Sequence, residues 1–226
     1  MKPNHARRRT RGFTGWDLLI CVVTVVLGAS LLLRLSARGC KAPATRINCV
    51  SNLKQIGLAF RMWANDHGEK FPMQSSMFST NGGTTEFNLT GEVWRHFQMI
   101  SNELRNSKVL VCSEDKKRSR TSDWSLLTNH SHLSYFVGLD ADETMPQTIL
   151  SGDRNLTSPT IQPVKGVLNV AAKDRVEWTK TIHNQQGNVG LGDGSAHQYT
   201  PGLIHRQFQA AFNSTTQAVH RIALPE

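Results

Sequence analysis

Residues 7–33 read RRRTRGFTGWDLLICVVTVVLGASLLL, and the fold turns on how this stretch is read. Lys2, Arg7, Arg8, Arg9 and Arg11 make a basic leader that contains no acid. Gly12-Phe13-Thr14 follows. One acid, Asp17, then stands before sixteen residues, Leu18 to Leu33, whose only polar side chains are Thr24 and Ser30. A carboxylate at the mouth of an apolar helix is costly in lipid, so it reads as functional. Phe13 to Leu33 is 21 residues, roughly 31 Å of helix at ~1.5 Å per residue, close to the ~30 Å hydrocarbon core of a bilayer. Arginines on the leader side keep that end cytoplasmic. The expected topology is a single pass with the bulk of the chain on the far side.

The basic leader, the Gly12–Phe13 junction and the acid five residues after the glycine together resemble the class III signal of type IV pilins and type II secretion pseudopilins. The resemblance implies a cut between Gly12 and Phe13 by a prepilin peptidase and methylation of the new N-terminal Phe13. It also implies an assembly role for Asp17, which would pair with the N-terminal amine of a neighbouring subunit. The chain departs from the family at three places. Asp17 stands where glutamate is usual, Gly15-Trp16 where two aliphatics are usual, and Arg34 at the position of a common kink proline. These departures bear on filament incorporation more than on processing. Three other readings compete. An ordinary secretory signal would cut near Gly28-Ala29-Ser30 or Ser36-Ala37-Arg38, a lipoprotein signal would end at Ala37-Arg38-Gly39-Cys40, and a plain anchor would stay uncut.

Working outward, the formal charge of +9 invites a nucleic-acid reading, but five of the 26 basic residues lie in the leader, leaving 21 against 17 acids. No basic stripe interleaved with aromatics is present. Lys116-Lys117-Arg118-Ser119-Arg120 reads as a solvated loop, so no nucleic-acid partner is expected. Of the four cysteines, Cys21 lies inside the apolar helix as a small hydrophobe. Cys40, Cys49 and Cys112 would sit in an oxidising space, where disulfides persist. Cys49 opens an amphipathic helix and Cys112 ends the strand-like run Val109-Leu110-Val111-Cys112. A Cys49–Cys112 bridge is the preferred pairing; Cys40–Cys112 or free thiols stay open.

Residues 36–45, with Gly39 and Pro43, read as a kink or linker. From Arg46 to His67 apolar residues recur at helical spacing (Ile47, Val50, Leu53, Ile56, Phe60, Trp63), a face that should pack on a sheet. Cys49 to Phe60, followed by Trp63, Asn65-Asp66 and Phe71-Pro72, resembles the first-helix extension of a pseudopilin-like bacterial family that occurs as large paralogous sets. Ser134 to Asp140 with Gly152 to Asn155, and His183-Asn184 through Gly187 to Ser195, resemble the same family. Residues 73–91 read as a long exposed loop. Val93, Phe97, Ile100 and Leu104 predict one short helix. Lys108–Cys112, 133–137, 148–150 and 164–171 read as strands, the last broken by Gly166. Asp193-Gly194 between 188–191 and 195–199 is a hairpin turn in which both residues tolerate positive φ. A closing helix is expected over 203–212.

The candidates for chemistry are sparse. His183, Asp193 and His197 are ligand types that suit zinc or copper, but Asp193 is accounted for by its turn and the histidines by ordinary polar roles. Asp140, Asp142 and Glu143 form an acidic loop without the spacing of a calcium-binding loop. Asp153-Arg154 reads as a buried ion pair. No nucleophile elbow, P-loop or dinucleotide fingerprint occurs. No enzyme activity, cofactor or metal is expected.

The expected fold is α+β and pilin-like, a long N-terminal helix packed on an antiparallel sheet. Residues 1–12 form a leader, 13–35 a membrane-spanning half-helix, 36–45 a linker, and 46–226 an extracytoplasmic domain. The expected function is that of a structural subunit anchored in the inner membrane. Its partners would be the prepilin peptidase, membrane lipid and further copies or other pseudopilins, in a type II secretion pseudopilus or type IV pilus-like filament. Two alternatives are a membrane-anchored envelope binding module that does not polymerise and an extracytoplasmic hydrolase or metal-dependent enzyme.

Overall fold

The computed structural model describes the backbone of residues 14–39, 41–80 and 82–226, and the side chains of 14–31, 45–80 and 82–226. Gly12 and Phe13 lie outside the described residues. The chain divides into two compact units, 1–42 and 43–226.

The first unit carries helix α1 (Gly15–Gly39). Thr14 begins it as a cap: its N–H and Oγ1 both donate to Asp17 Oδ2, at 3.0 and 2.7 Å. That contact satisfies one of the donors a helix N-terminus leaves open. Leu18, Leu19, Ile20, Val22, Val23, Val25, Val26, Leu27 and Leu31 are all exposed, on every side of the helix. Among the described residues no helix is long and apolar enough to cross a membrane. The span expected at 13–35 extends past the described side chains at both ends.

Helix α2 (Lys41–Asp66), most of which belongs to the second unit, starts earlier than the sequence suggested. The expected linker 36–45 is helical on both sides of residue 40, which lies outside the described residues. Pro43 is tolerated because it falls in the first turn, where no intrahelical acceptor awaits its missing N–H. The stripe is shifted at its start. Ile47 is 61% exposed, and Cys49 takes its place in a buried row with Leu53, Ile56, Phe60, Trp63 and Ala64.

Eight strands follow: β1 (Tyr135–Gly138), β2 (Ile149–Asp153), β3 (Leu156–Thr157), β4 (Val167–Ala171), β5 (Glu177–Trp178), β6 (Gly187–Leu191), β7 (Ala196–Tyr199) and β8 (Val219–Ala223). Six of them form an antiparallel sheet in the order β4-β8-β1-β2-β6-β7, and β3 pairs with β5 separately. Strand alternation splits the core between the two faces. Tyr135 and Val137 join Leu53, Ile56, Phe60 and Phe97 on the α2 side. Phe136, Leu168, Val170, Val189 and Ile222 join Ile204 and Phe208 of α5 (Pro201–Ser214) on the other. The architecture is therefore α+β, with helices on both faces of the sheet. Gly57 lets α2 approach closely: a Cβ there would stand 3.1 Å from Gly194 Cα and 3.2 Å from its carbonyl oxygen.

Several sequence expectations are corrected. Lys108–Cys112 is not a strand; Ser107–Leu110 is a 3-10 turn whose start is fixed by the Lys108 N–H donating to Asn106 Oδ1. A short apolar run buried throughout has no period to tell strand from turn. The helix expected over 93–104 is two, α3 (Val93–Met99) and α4 (Ser101–Leu104), broken where Ile100 leaves helical geometry. Residues 73–91 are not wholly exposed, since Met73, Thr84 and Asn88 are buried and Asn88 Nδ2 donates to Met73 O. At the β6–β7 turn only Gly194 has positive φ, at 82°, and Asp193 Oδ1 instead accepts the Ser195 N–H. Strand β8 had no sequence forecast.

Candidate functional site

Cys49 comes from the buried face of α2, and Cys112 follows the 3-10 turn at Ser107–Leu110. The two form a disulfide with Cα atoms 5.5 Å apart. Beside it lies His183, from the loop between β5 and β6, with Nε2 3.3 Å from Cys112 Sγ. The same nitrogen is 3.5 Å from Oδ2 of Asp153, the last residue of β2. Cys49, Cys112 and Asp153 are fully buried, and His183 nearly so.

Each side chain of this centre is held by its surroundings. The backbone N–H and side-chain amide of Asn188 donate to Asp153 Oδ2 at 2.7 and 2.8 Å, while Oδ1 is buried without a partner. Burial pushes the Asp153 carboxyl up to about 7 against the pull of those two donors. Burial, with the nearby Arg46 charge, brings the His183 imidazole down to about 4. Low-dielectric surroundings thus favour the neutral form of both groups. His183, Asn184 and Gln185 all adopt left-handed backbone, φ 55°, 49° and 61°. Such residues cost of order 1 kcal/mol each and persist only where neighbours over-determine them. Asn155 does so here: its Nδ2 donates to the carbonyls of Thr179, Ile182 and Gln186 at 2.9–3.0 Å. Arg46 reaches Gln186 Oε1 from α2.

The expected Asp153–Arg154 pair does not form. Arg154 follows β2 in the turn after it, and its guanidinium binds Asp115 through two contacts of 2.6 and 2.8 Å instead. Ser134 Oγ adds a third donor at 2.9 Å. Burial raises the Asp115 carboxyl, but Arg154, Ser134 and the Lys117 N–H outweigh it and hold the group below its usual range. Asp115, which precedes the basic run 116–120, is buried.

The other sequence candidates scatter. Asp193 serves its turn, and His197 is exposed with Nε2 near Ser195 Oγ at 3.1 Å. Their trio with His183 is not what the fold assembles around that histidine. In the acidic loop, Asp140 is engaged by the Arg221 guanidinium and N–H, Glu143 by Arg61, and Asp142 caps Thr144. Protein donors thus engage both oxygens of Asp140 and of Asp142, while Glu143 Oε2 is buried without a partner. Sequence reasoning missed the roles of Asn155 and Asn188. Their only signal was two asparagines flanking the Gly152-Asp153 and Gly187 segments.

No family model, curated protein or solved structure matches this chain.

Proposed function

We propose that the chain is a prepilin-like structural subunit. Its leader 1–12 is cut between Gly12 and Phe13, helix α1 holds it in the inner membrane, and residues 46–226 stand outside as a pilin-like domain of a pseudopilus or pilus-like filament. One observation carries the reading: α1 presents apolar side chains on every side, and its interior polar groups bond to its own backbone. Thr24 Oγ1 donates to Ile20 O and Cys21 O, and Ser30 Oγ to Leu27 O. A helix apolar all round is stable only in lipid or among other helices, and lipid demands that polar groups be satisfied within the segment.

A second reading keeps the anchor but not the filament, an envelope binding module displayed singly. It is favoured by Asp17, whose carboxylate is engaged by Thr14 of its own chain rather than left open for a neighbour's amine. The mass of the N-terminal peptide from the protein's own host tests the first reading. A start at Phe13, methylated or not, supports peptidase processing; an intact leader refutes it. Crosslinking through cysteines introduced along 18–31 separates filament subunit from solitary module.

A further inference from the structure

The geometry points to a redox-gated metal site: with the disulfide opened, Cys49, Cys112, His183 and Asp153 form a four-ligand site for a zinc-class divalent cation. The ligand atoms of Cys49, Cys112 and His183 already lie within 4.8 Å of one another. With Zn–S at ~2.3 Å and Zn–N or Zn–O at ~2.0–2.2 Å, a tetrahedral centre has S···N edges of ~3.5 Å and N···O edges of ~3.4 Å. The corresponding separations here are 3.3 Å from Cys112 Sγ to His183 Nε2 and 3.5 Å from that nitrogen to Asp153 Oδ2. The two sulfurs must part, from bonding distance to ~3.8 Å, and the Asp153 carboxylate, which lies outside the set whose ligand atoms are within 4.8 Å of one another, must close on them.

The surroundings suit such a centre. Asn188 holds Asp153 Oδ2, the oxygen 3.5 Å from His183 Nε2, while Oδ1 is buried and unpartnered and is the oxygen free to bind once the carboxylate turns toward the sulfurs. Partners of this kind fix ligands in metal sites. Two thiolates and a carboxylate around a dication leave one negative charge, and Arg46, whose charge acts on both Asp153 and His183, lies close enough to offset it.

A dithiol reductant passes two electrons and two protons to the Cys49–Cys112 bond, giving two thiols and the oxidised reductant. The cation then displaces both thiol protons, and the Asp153 carboxyl proton where it is held, to solvent.

The test uses the full-length chain in detergent, reduced with a phosphine and titrated with Co2+ as a spectroscopic probe for zinc. The reduced chain should take up one Co2+ with thiolate-to-cobalt charge transfer and tetrahedral visible bands, and the oxidised chain none. His183→Gln should weaken binding at least ten-fold and Asn188→Ala by about 10- to 100-fold. If reduction unfolds the chain, Zn2+ should restore its circular dichroism in the wild type and not in His183→Gln. Failure of the reduced chain to bind Co2+ or to refold with Zn2+ overturns the proposal, as does binding indifferent to His183→Gln.

Discussion

His96 gives the domain a calculable weakness to acid. It lies on α3 with no exposed surface, among Val93, Phe97 and Ile100. Its Nδ1 is 2.8 Å from Thr84 Oγ1, and its Nε2 is buried without a partner. Burial brings its pKa down from 6.5 to about 4. Because the folded value lies below the unfolded one, the unfolded chain binds the proton more readily. Stability is therefore full above the unfolded value and is lost as pH falls through the window between the two. At ~1.4 kcal/mol per unit, linkage gives a loss of about 2 kcal/mol between pH 8 and pH 5, and about 3 kcal/mol by pH 4. His96→Leu removes the titration and keeps the volume, at a cost of about 1 kcal/mol for the stranded Thr84 hydroxyl. Urea unfolding followed by circular dichroism should then show wild type and variant diverging by that amount across the pH range. Burial also lowers the values of His130 and His220, and these contributions cancel in the difference. A difference that stays flat to within about 0.5 kcal/mol would refute a neutral buried imidazole.

Other perturbations test the packing. Arg154→Met strands the buried Asp115 carboxylate and should cost about 3–5 kcal/mol in urea unfolding, with Asp115→Asn in the same chain recovering part of it. Gly57→Val drives a branched side chain into the Gly194 backbone and should cost about 1–3 kcal/mol, read as a lowered midpoint. Cys49→Ser opens a loop closed across 63 residues and should remove about 4 kcal/mol, measured against the oxidised wild type.

What could be read from the sequence was what is local. The α2 stripe from Leu53 to Ala64 follows a 3.6-residue period, and the Asp193-Gly194 turn is carried by a residue that adopts positive φ without strain. The α5 stripe and strands β1 and β2 were likewise legible from runs of four to six residues. Where a run was buried on every side, as at Val109–Cys112, no period survived and a 3-10 turn passed for a strand. Strand β8 escaped because its place between β4 and β1 depends on partners far back in the chain. The Cys49–Cys112 pairing was open to a guess about compartment, but its neighbour was not: Cys112 and His183 are 71 residues apart, and Asn188 is 35 from Asp153.

That long-range character bears on what the buried centre does for the domain. Cys49 belongs to α2, Cys112 to the segment after a 3-10 turn, Asp153 to β2 and His183 to the loop that leads into β6. The disulfide ties only the first two; His183 touches Cys112 Sγ at 3.3 Å, and Asp153 touches His183 at 3.5 Å. A cation bound in the reduced state would tie all four. Reduction alone would then loosen the contact of α2 with the Cys112 segment, and metal would restore it while also fastening the strained 183–185 loop. Hydrogen exchange in that loop distinguishes the two states: protection should be greater with metal than in the oxidised chain. An N-terminal peptide with an intact leader would remove the prepilin reading and leave this centre untouched, because none of its ligands lies in the first unit.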